Sequence, residues 1–139
     1  MPRRDTHHDV VKRSLIKDGW TITHDPFPLH IGKKRLFADL GAKYLLSAER
    51  EERKIAVEIK SFAGSSDIRD LEQAVGQYTI YQKILDQIEP DRALYLAVSE
   101  EVFQDTFTIE IGQLVLKEET VRLLVFHMER EEVVQWIPA

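Results

Sequence analysis

The sequence contains no cysteine among its 139 residues. Disulfides and thiolate metal sites are therefore excluded, and any metal must be held by oxygen or by histidine nitrogen. No apolar run approaches the roughly 20 residues that a membrane-spanning helix needs. The basic residues near the N-terminus are not followed by the apolar segment of a secretory signal. These absences predict a cytoplasmic protein that does not associate with membranes.

Glycine and proline are also scarce, with six and five residues that stand apart from one another. Repeats and linker-like stretches are missing as well, so the pattern predicts a single domain over residues 1–139. Hydrophobic residues make up 43% of the chain, which is typical of a globular core.

Positive charge is in the minority, because 24 acidic residues outnumber 19 basic ones and leave a net charge of −5. A globally basic surface for nucleic acid is excluded by this balance. Contact with DNA would need a local patch, and the best candidate is Lys33-Lys34-Arg35. The same three residues also fit a solvated turn.

Hydrophobic periodicity and turn residues predict an alternation of helices and strands. Helices are expected over residues 5–18 and 67–88, with a short one at 100–108. Asp5 or Thr6 can cap the first helix and Gly19 can end it in a left-handed conformation, while a serine at 65–66 or Asp67 can cap the second. Residues 24–28 contain two prolines, which lack the amide donor, so a loop is expected there. The order of elements favours an α/β fold with a mixed central sheet flanked by helices. Strands are expected at 20–23, 35–46, 54–62, 92–98, 113–117, 121–127 and 132–137, the last three as a meander.

The helix over residues 67–88 is expected to carry an apolar stripe that faces the sheet. The residues of this stripe are Ile68, Leu71, Val75, Tyr78, Leu85 and Ile88.

Glu58-Ile59-Lys60 places two charged residues in an otherwise apolar strand. Residues two apart in a strand share a face, and buried charges cost free energy unless they are paired or bind a metal. If the polar stretch 47–53 turns a hairpin, Asp39 lies roughly opposite Glu58. Two carboxylates this close repel each other, which predicts a Mg²⁺ or Mn²⁺ site with the backbone carbonyl of Ile59 as a further ligand.

Lys60 would complete the parts needed for phosphodiester hydrolysis. The lysine can orient or deprotonate a water, or its ammonium form can stabilise the negative charge that develops on the phosphorane. An alternative interpretation is a structural ion pair at a sheet edge, and the short Glu-x-Lys pattern alone does not decide between them.

Gln77 and Tyr81 lie one turn apart on the helix after the Glu-x-Lys strand, so they share a face. Gln77 can hydrogen-bond a phosphate or the attacking water, but a half-exposed glutamine above a core tyrosine is the alternative. His8 on the first helix can support the metal site, or it can form a surface pair with Asp9. The segment that contains Asp25 either closes the rim of the site or forms an Asx-type turn.

The ordered set Asp39, Glu58-x-Lys60 and Gln77-x-x-x-Tyr81 resembles the PD-(D/E)XK nuclease superfamily, which implies a restriction-endonuclease-like core. The glutamine-tyrosine element is similar to that of its exonuclease and helicase-associated branches. The first motif departs from the pattern, because Ala38 stands where the superfamily has proline.

The chain also resembles a narrower group over nearly its whole length. This group is the XisH proteins, the fdxN-element excision controlling factors of cyanobacteria. The resemblance implies an accessory role in a programmed DNA rearrangement, alongside a site-specific recombinase and a partner protein called XisI. The matching segments are residues 15–26, 39–42, 54–62, 70–72, 111–115 and 136–138.

Two functions are open at this point. The first is a Mg²⁺-dependent DNA endonuclease that acts in element excision. The second is a non-catalytic regulatory subunit that binds DNA or XisI on the same scaffold. A two-fold homo-oligomer is expected as well, because nucleases of this class often present two sites to two strands. Its apolar surface is predicted at Val133, Val134, Trp136 and Ile137.

Overall fold

A computed structural model describes residues 7–46 and 51–139. Phe103–Phe107 form a single π-helical turn, and Lys117–Glu119 form a 3₁₀ turn. Within the described ranges, no helix has the length and apolar character needed to cross a bilayer. The elements in chain order are α1 (His8–Lys17), β1 (Thr21–His24), β2 (Phe27–Ile31), β3 (Lys34–Ala38), β4 (Leu40–Leu45), β5 (Glu52–Ile59), α2 (Asp67–Ile88), β6 (Arg92–Ser99), α3 (Glu100–Val102), α4 (Glu110–Leu116), β7 (Leu123–His127) and β8 (Glu132–Ile137).

Six of the strands form one mixed sheet in the order β1-β4-β5-β6-β7-β8. The central strands β5, β6 and β7 run parallel, whereas β1, β4 and β8 are antiparallel to their neighbours. Parallel neighbours need crossover connections, and α2 supplies the one between β5 and β6. The expected α/β architecture with a mixed central sheet flanked by helices is thereby confirmed.

The two faces of the sheet carry separate hydrophobic cores. Helix α2 covers one face, where its buried side chains meet Ala56, Leu94 and Leu96. Helix α1 packs on the other face through Val11 and Leu15. The alternation of side chains along β5 therefore sends Glu58 to the α2 side of the sheet.

The end of α1 and the start of α2 are formed by residues that the sequence predicts there. Ser66 accepts a hydrogen bond from the amide of Arg69 and caps α2 (3.3 Å). Gly19 follows α1 with a φ of +99°, which is the left-handed conformation expected there. The predicted cap of the first helix falls on residues 5 and 6, outside the described residues.

The apolar stripe predicted for α2 is only partly correct. Ile68 and Ile88 are exposed, at 42% and 45%. Ile68 is the second residue of α2 and Ile88 is the last, so the exposed positions are the two ends of the stripe. The side chains that are buried on this helix are Leu71, Ala74, Tyr78, Tyr81, Ile84 and Leu85.

A two-stranded ribbon, β2 paired with β3, replaces two predicted features. The expected loop at 24–28 becomes a strand from Phe27 onward, and the single strand expected over 35–46 is broken at Asp39. Pro28 lies opposite Phe37. A two-stranded ribbon tolerates this proline because each strand has a hydrogen-bonding partner on one side only.

The predicted strand at 113–117 is wrong, because these residues belong to α4 and the 3₁₀ turn after it. A short apolar run fits the periodicity of a helix and that of a strand, so the pattern alone does not distinguish the two here. Gly112 lets α4 pack closely against the π-helical turn before it. A Cβ added at this position would lie 2.1 Å from the carbonyl oxygen of Thr106. The expected three-stranded meander is therefore the pair β7–β8.

Strand β8 forms one edge of the main sheet, and its side chains are mostly used within the chain. Trp136 packs against Trp20 and Tyr95, with ring centroids 5.4 and 5.0 Å away. Val133 and Ile137 pack against the two cores, while Val134 is 42% exposed. The apolar surface predicted for a homo-oligomer is thus smaller than its four residues suggested.

Candidate active site

The pairing of β4 with β5 brings Asp39 and Glu58 together. Leu40 lies opposite Val57 in this antiparallel register, so the next step places Asp39 opposite Glu58. Asp39 occupies the bend where the chain passes from the ribbon into the main sheet. Its Oδ2 accepts a hydrogen bond from the amide of Ile59 (2.7 Å), which holds the carboxylate beside the end of β5.

Glu58 carries the clearest electrostatic signature of the site. The residue is 5% exposed, and burial disfavours its charged form. Burial, reinforced by the charge of Asp39 and a hydrogen bond to it, raises the pKa of Glu58 to about 9. The pair therefore holds a proton at neutral pH that either carboxylate would lose in water.

Lys60 lies on the same side as Glu58, with its Nζ 3.9 Å from Glu58 Oε2. About a third of the lysine side chain is exposed, whereas only 7% of the glutamate side chain is. The lysine side chain is therefore in contact with solvent, while the carboxylate of Glu58 beside it is buried. Its charge offsets only part of the effect of burial on the pKa of Glu58.

A cleft of about 480 Å³ opens above the acidic pair. Its floor contains Asp39, Glu58 and Lys60, and its far wall contains Asp70 and Gln73 of α2. The sequence interpretation did not assign a role to these last two residues. Gln73 had a detectable signal, because it lies one turn before Gln77 and shares its face.

The structure joins Gln77 directly to Tyr81, as Gln77 Nε2 donates to the tyrosine hydroxyl (2.8 Å). Burial raises the pKa of Tyr81, and the charges of Glu58 and Asp39 add to the rise. Tyr81 therefore lies within electrostatic range of the acidic pair, with the amide of Gln77 behind it.

His8 approaches the acidic pair from helix α1. Its Nδ1 lies 4.0 Å from Asp39 Oδ1, and its Nε2 donates to Asp25 Oδ1 (2.8 Å). Lys12 donates to the other oxygen of Asp25 (2.8 Å). Burial opposes ionisation of Asp25, but its hydrogen bonds to Lys12 and His8, together with the charge of Lys12, outweigh that effect and lower its pKa. The predicted rim residue Asp25 is thus a support for His8, which sequence spacing could not reveal.

Asp25→Ala is expected to lower the free energy of unfolding by about 1–3 kcal/mol, because it leaves a buried donor on His8 without its acceptor. His8 is 3% exposed, so water cannot replace the lost partner easily. Urea unfolding measures the loss. Glu52→Ala is the matched control, since its ion pair with Lys43 (3.3 Å) is exposed and contributes at most about 1 kcal/mol. Equal losses in the two variants would contradict the supporting role.

The predicted DNA-contacting residues lie away from the acidic pair, at the tip of the β2–β3 ribbon. Lys33 is in the turn between the strands, and Lys34 and Arg35 begin β3. All three are exposed. The base of the ribbon ends at Ala38, directly before Asp39, so the basic tip and the cleft belong to one continuous segment.

Comparison with known proteins identifies the group to which this chain belongs. Residues 1–134 match the sequence model of the family described as XisH protein. The chain belongs to the XisH family. A crystal structure of an XisH family protein from Nostoc punctiforme PCC 73102 is 38% identical and superposes with a TM-score of 0.83, covering 95% of this chain and 98% of that one.

A second solved XisH relative is described as an fdxN element excision controlling factor protein from Anabaena variabilis. It is 41% identical, with a TM-score of 0.85 over 96% of this chain and 99% of that chain. The comparison with curated proteins gives no match. The resemblance to XisH proteins noted in the sequence is thereby confirmed.

Proposed function

We propose that this XisH protein is a Mg²⁺- or Mn²⁺-dependent DNA endonuclease of the PD-(D/E)XK type. The observation that supports it best is the carboxylate pair of Asp39 and Glu58, in which the pKa of Glu58 is raised to about 9. Strongly perturbed acids in a cleft are typical of functional sites. A purely structural ion pair with Lys60 would instead lower that pKa.

The donor set fits a small hard cation. Within residues 7–46 and 51–139, no group of three or more acidic or histidine side chains is placed to hold a metal. Two carboxylates are nevertheless what Mg²⁺ commonly takes from a protein, with water and substrate phosphate as its other ligands. Asp39, Glu58 and the carbonyl of Ile59 would hold the ion, which would supply charge neutralisation at phosphorus and an activated water.

The other residues of the site have roles that follow from their positions. Lys60 presents an ammonium group beside the carboxylates and can stabilise negative charge on a phosphate oxygen. Gln77 and Tyr81 form a hydrogen-bonded pair within range of the acids and can position the scissile phosphate. His8, held by Asp25, would act on Asp39 through space from 4.0 Å, while the amide of Ile59 holds that carboxylate in place. The exposed basic residues Lys33, Lys34 and Arg35 would contact the DNA backbone.

The biological setting is proposed from the relatives. The Anabaena variabilis relative is described as an excision controlling factor for the fdxN element. We extend this role to the present chain, which would then act on DNA during programmed excision. Its partners would be a site-specific recombinase and an XisI-like protein.

Metal binding is expected to release about one proton at pH 7, because the raised pKa keeps Glu58 protonated until a cation replaces the proton. The affinity for Mn²⁺ should therefore rise as the pH increases towards 9. Calorimetry in two buffers of different ionisation enthalpy measures the released proton directly.

Asp70→Asn is the control for this titration, because Asp70 lines the same cleft but accepts from the amide of Gly64 (3.0 Å). It should keep both the affinity and the proton release. The double variant Asp39→Ala, Glu58→Ala should lose both. Equal Mn²⁺ binding by wild type and the double variant would exclude the metal site.

A second function is favoured by the charge balance. The net charge of −5 disfavours the approach of DNA to the protein as a whole. A regulatory subunit that binds DNA or an XisI-like partner without cutting would need only the local basic tip of the ribbon. Wild-type binding without any cleavage would support this alternative.

A further inference from the structure

The β2–β3 ribbon has two chemically different faces. One face is apolar and packs towards α2, with Phe27, Leu29 and Ala38 fully or nearly buried. The opposite face points outward because side chains alternate along each strand. The residues on this outward face are Pro28, His30, Arg35 and Phe37, and they lie in cross-strand pairs, Pro28 with Phe37 and His30 with Arg35.

An aromatic pair stands on the outward face. Phe37 is 47% exposed although it is a large apolar side chain. The ring of His30 meets it edge to face, with the centroids 5.4 Å apart. This contact, together with Pro28 across the ribbon, fixes the orientation of the ring while leaving it accessible. A rigid, exposed aromatic ring is the type of group on which a nucleic-acid base stacks.

The ribbon also carries a net positive charge in an acidic chain. Residues 27–38 contain three basic residues and no acidic ones, in a protein whose net charge is −5. The basic residues Lys33, Lys34 and Arg35 are at the tip, next to the aromatic pair. This combination of cations and aromatic rings fits a nucleic-acid strand better than it fits an apolar protein surface.

The position of the ribbon links it to the acidic pair. At about 3.3 Å per residue, the backbone of Phe37 lies about 7 Å from Asp39 along the chain, and that of Arg35 about 13 Å. These lengths correspond to only a few nucleotides. A strand that contacts the outward face can therefore continue into the cleft.

We infer that the outward face of the ribbon binds unpaired nucleotides, with bases stacked on Phe37 and His30 and phosphates held by Arg35 on that face and by Lys34 at the exposed tip beside it. Base pairs inside a duplex have both faces covered by their neighbours and so cannot stack on Phe37. The inference rests on the proposed function for its substrate, and it narrows that substrate to DNA with a single-stranded segment beside the cut, such as a branch or a splayed end.

The test is fluorescence anisotropy in EDTA with a labelled 20-nucleotide oligo-dT and a duplex of the same length. Wild type should bind the single strand more tightly. Phe37→Leu keeps an apolar side chain but removes the ring, so it should weaken binding to the single strand about 5- to 20-fold and leave duplex binding within about twofold. Phe37→Tyr keeps a ring and should bind as wild type does.

Matched controls separate stacking from charge and from general surface effects. Leu114→Ala removes an apolar side chain that is 69% exposed on α4, and it should change neither affinity. Lys34→Gln with Arg35→Gln should weaken binding to both probes and reduce the salt dependence. Lys117→Gln with Arg130→Gln removes the same charge elsewhere and should have little effect.

The inference is overturned if wild type binds neither probe, if it prefers duplex, or if Phe37→Leu equals wild type on the single strand. The inference is also overturned if Phe37→Leu loses as much affinity for the duplex as for the single strand. Because the measurement uses no metal, a failure of cleavage leaves this result unaffected. Conversely, a protein that cuts duplex DNA but shows no effect of Phe37 retains the proposed function and loses only the ribbon assignment.

Discussion

Glu58→Gln is expected to increase the free energy of unfolding by about 3 kcal/mol at pH 7 in the absence of metal. The folded protein holds a proton on Glu58 up to a pKa of about 9, whereas the unfolded chain releases it near the ordinary value of 4.5. Between these two pH values the unfolded state is favoured increasingly as pH rises. The stability of the wild type should therefore fall by about 1.4 kcal/mol per pH unit over this window.

Glutamine mimics the protonated acid and removes this dependence. Below pH 4.5 the two proteins should have similar stabilities, and the difference should grow towards pH 9. Urea unfolding in EDTA at pH 5, 7 and 8.5 measures it. Glu72→Gln, the same change at an exposed position on α2, should shift stability little at any pH. If Glu58→Gln is less stable than wild type at pH 8.5, ionisation of Glu58 does not destabilise the folded protein and the account of the acidic pair is wrong.

Lys60→Met is expected to reduce the rate of DNA cleavage about 10²- to 10³-fold, while Mn²⁺ affinity changes little. An ammonium group has only donors, so Lys60 cannot ligate a cation. Its contribution should arise mainly in the transition state, where negative charge on the phosphoryl oxygens is greatest. Single-turnover cleavage together with a metal titration separates kcat from binding.

Lys54→Met provides a closely matched control for Lys60. Lys54 lies on β5, which Lys60 directly follows, and its side chain is 33% exposed against 34% for Lys60. It pairs with Asp91 at the other end of the strand. This variant should cut at the wild-type rate. If the two variants lose activity equally, or if Lys60→Met cuts like the wild type, Lys60 has no role in the chemistry.

The acidic pair was predictable because its cause is local. A polar stretch between two apolar strands predicts a hairpin, and the alternation of side chains then aligns Asp39 with Glu58. Residues 47–50, which carry most of that predicted turn, lie outside the described residues, yet the register of β4 and β5 agrees with it. The cap at Ser66 and the left-handed Gly19 were predictable for the same reason.

Other features depend on contacts that are distant in sequence. Asp25 reaches His8 across 17 positions, and no spacing rule connects a helix residue to a rim residue in this way. The sequence does not predict the ribbon, because Pro28 indicates a loop, although a two-stranded ribbon tolerates a proline. The sequence does not predict helix α4, because its few apolar residues fit a strand equally well. The close approach of Gly112 to the backbone of Thr106 is visible only in the structure.

Cleavage of supercoiled, branched and single-stranded DNA by the purified protein tests the proposed nuclease most directly. The expected result is strand scission that requires Mg²⁺ or Mn²⁺, that EDTA stops, and that Asp39→Asn abolishes while the protein remains folded. Branched DNA should be cut best. The contradicting result is the absence of cleavage of all three substrates by wild type, with and without an XisI-like partner. The non-catalytic regulatory subunit would then be the function that the same scaffold supports.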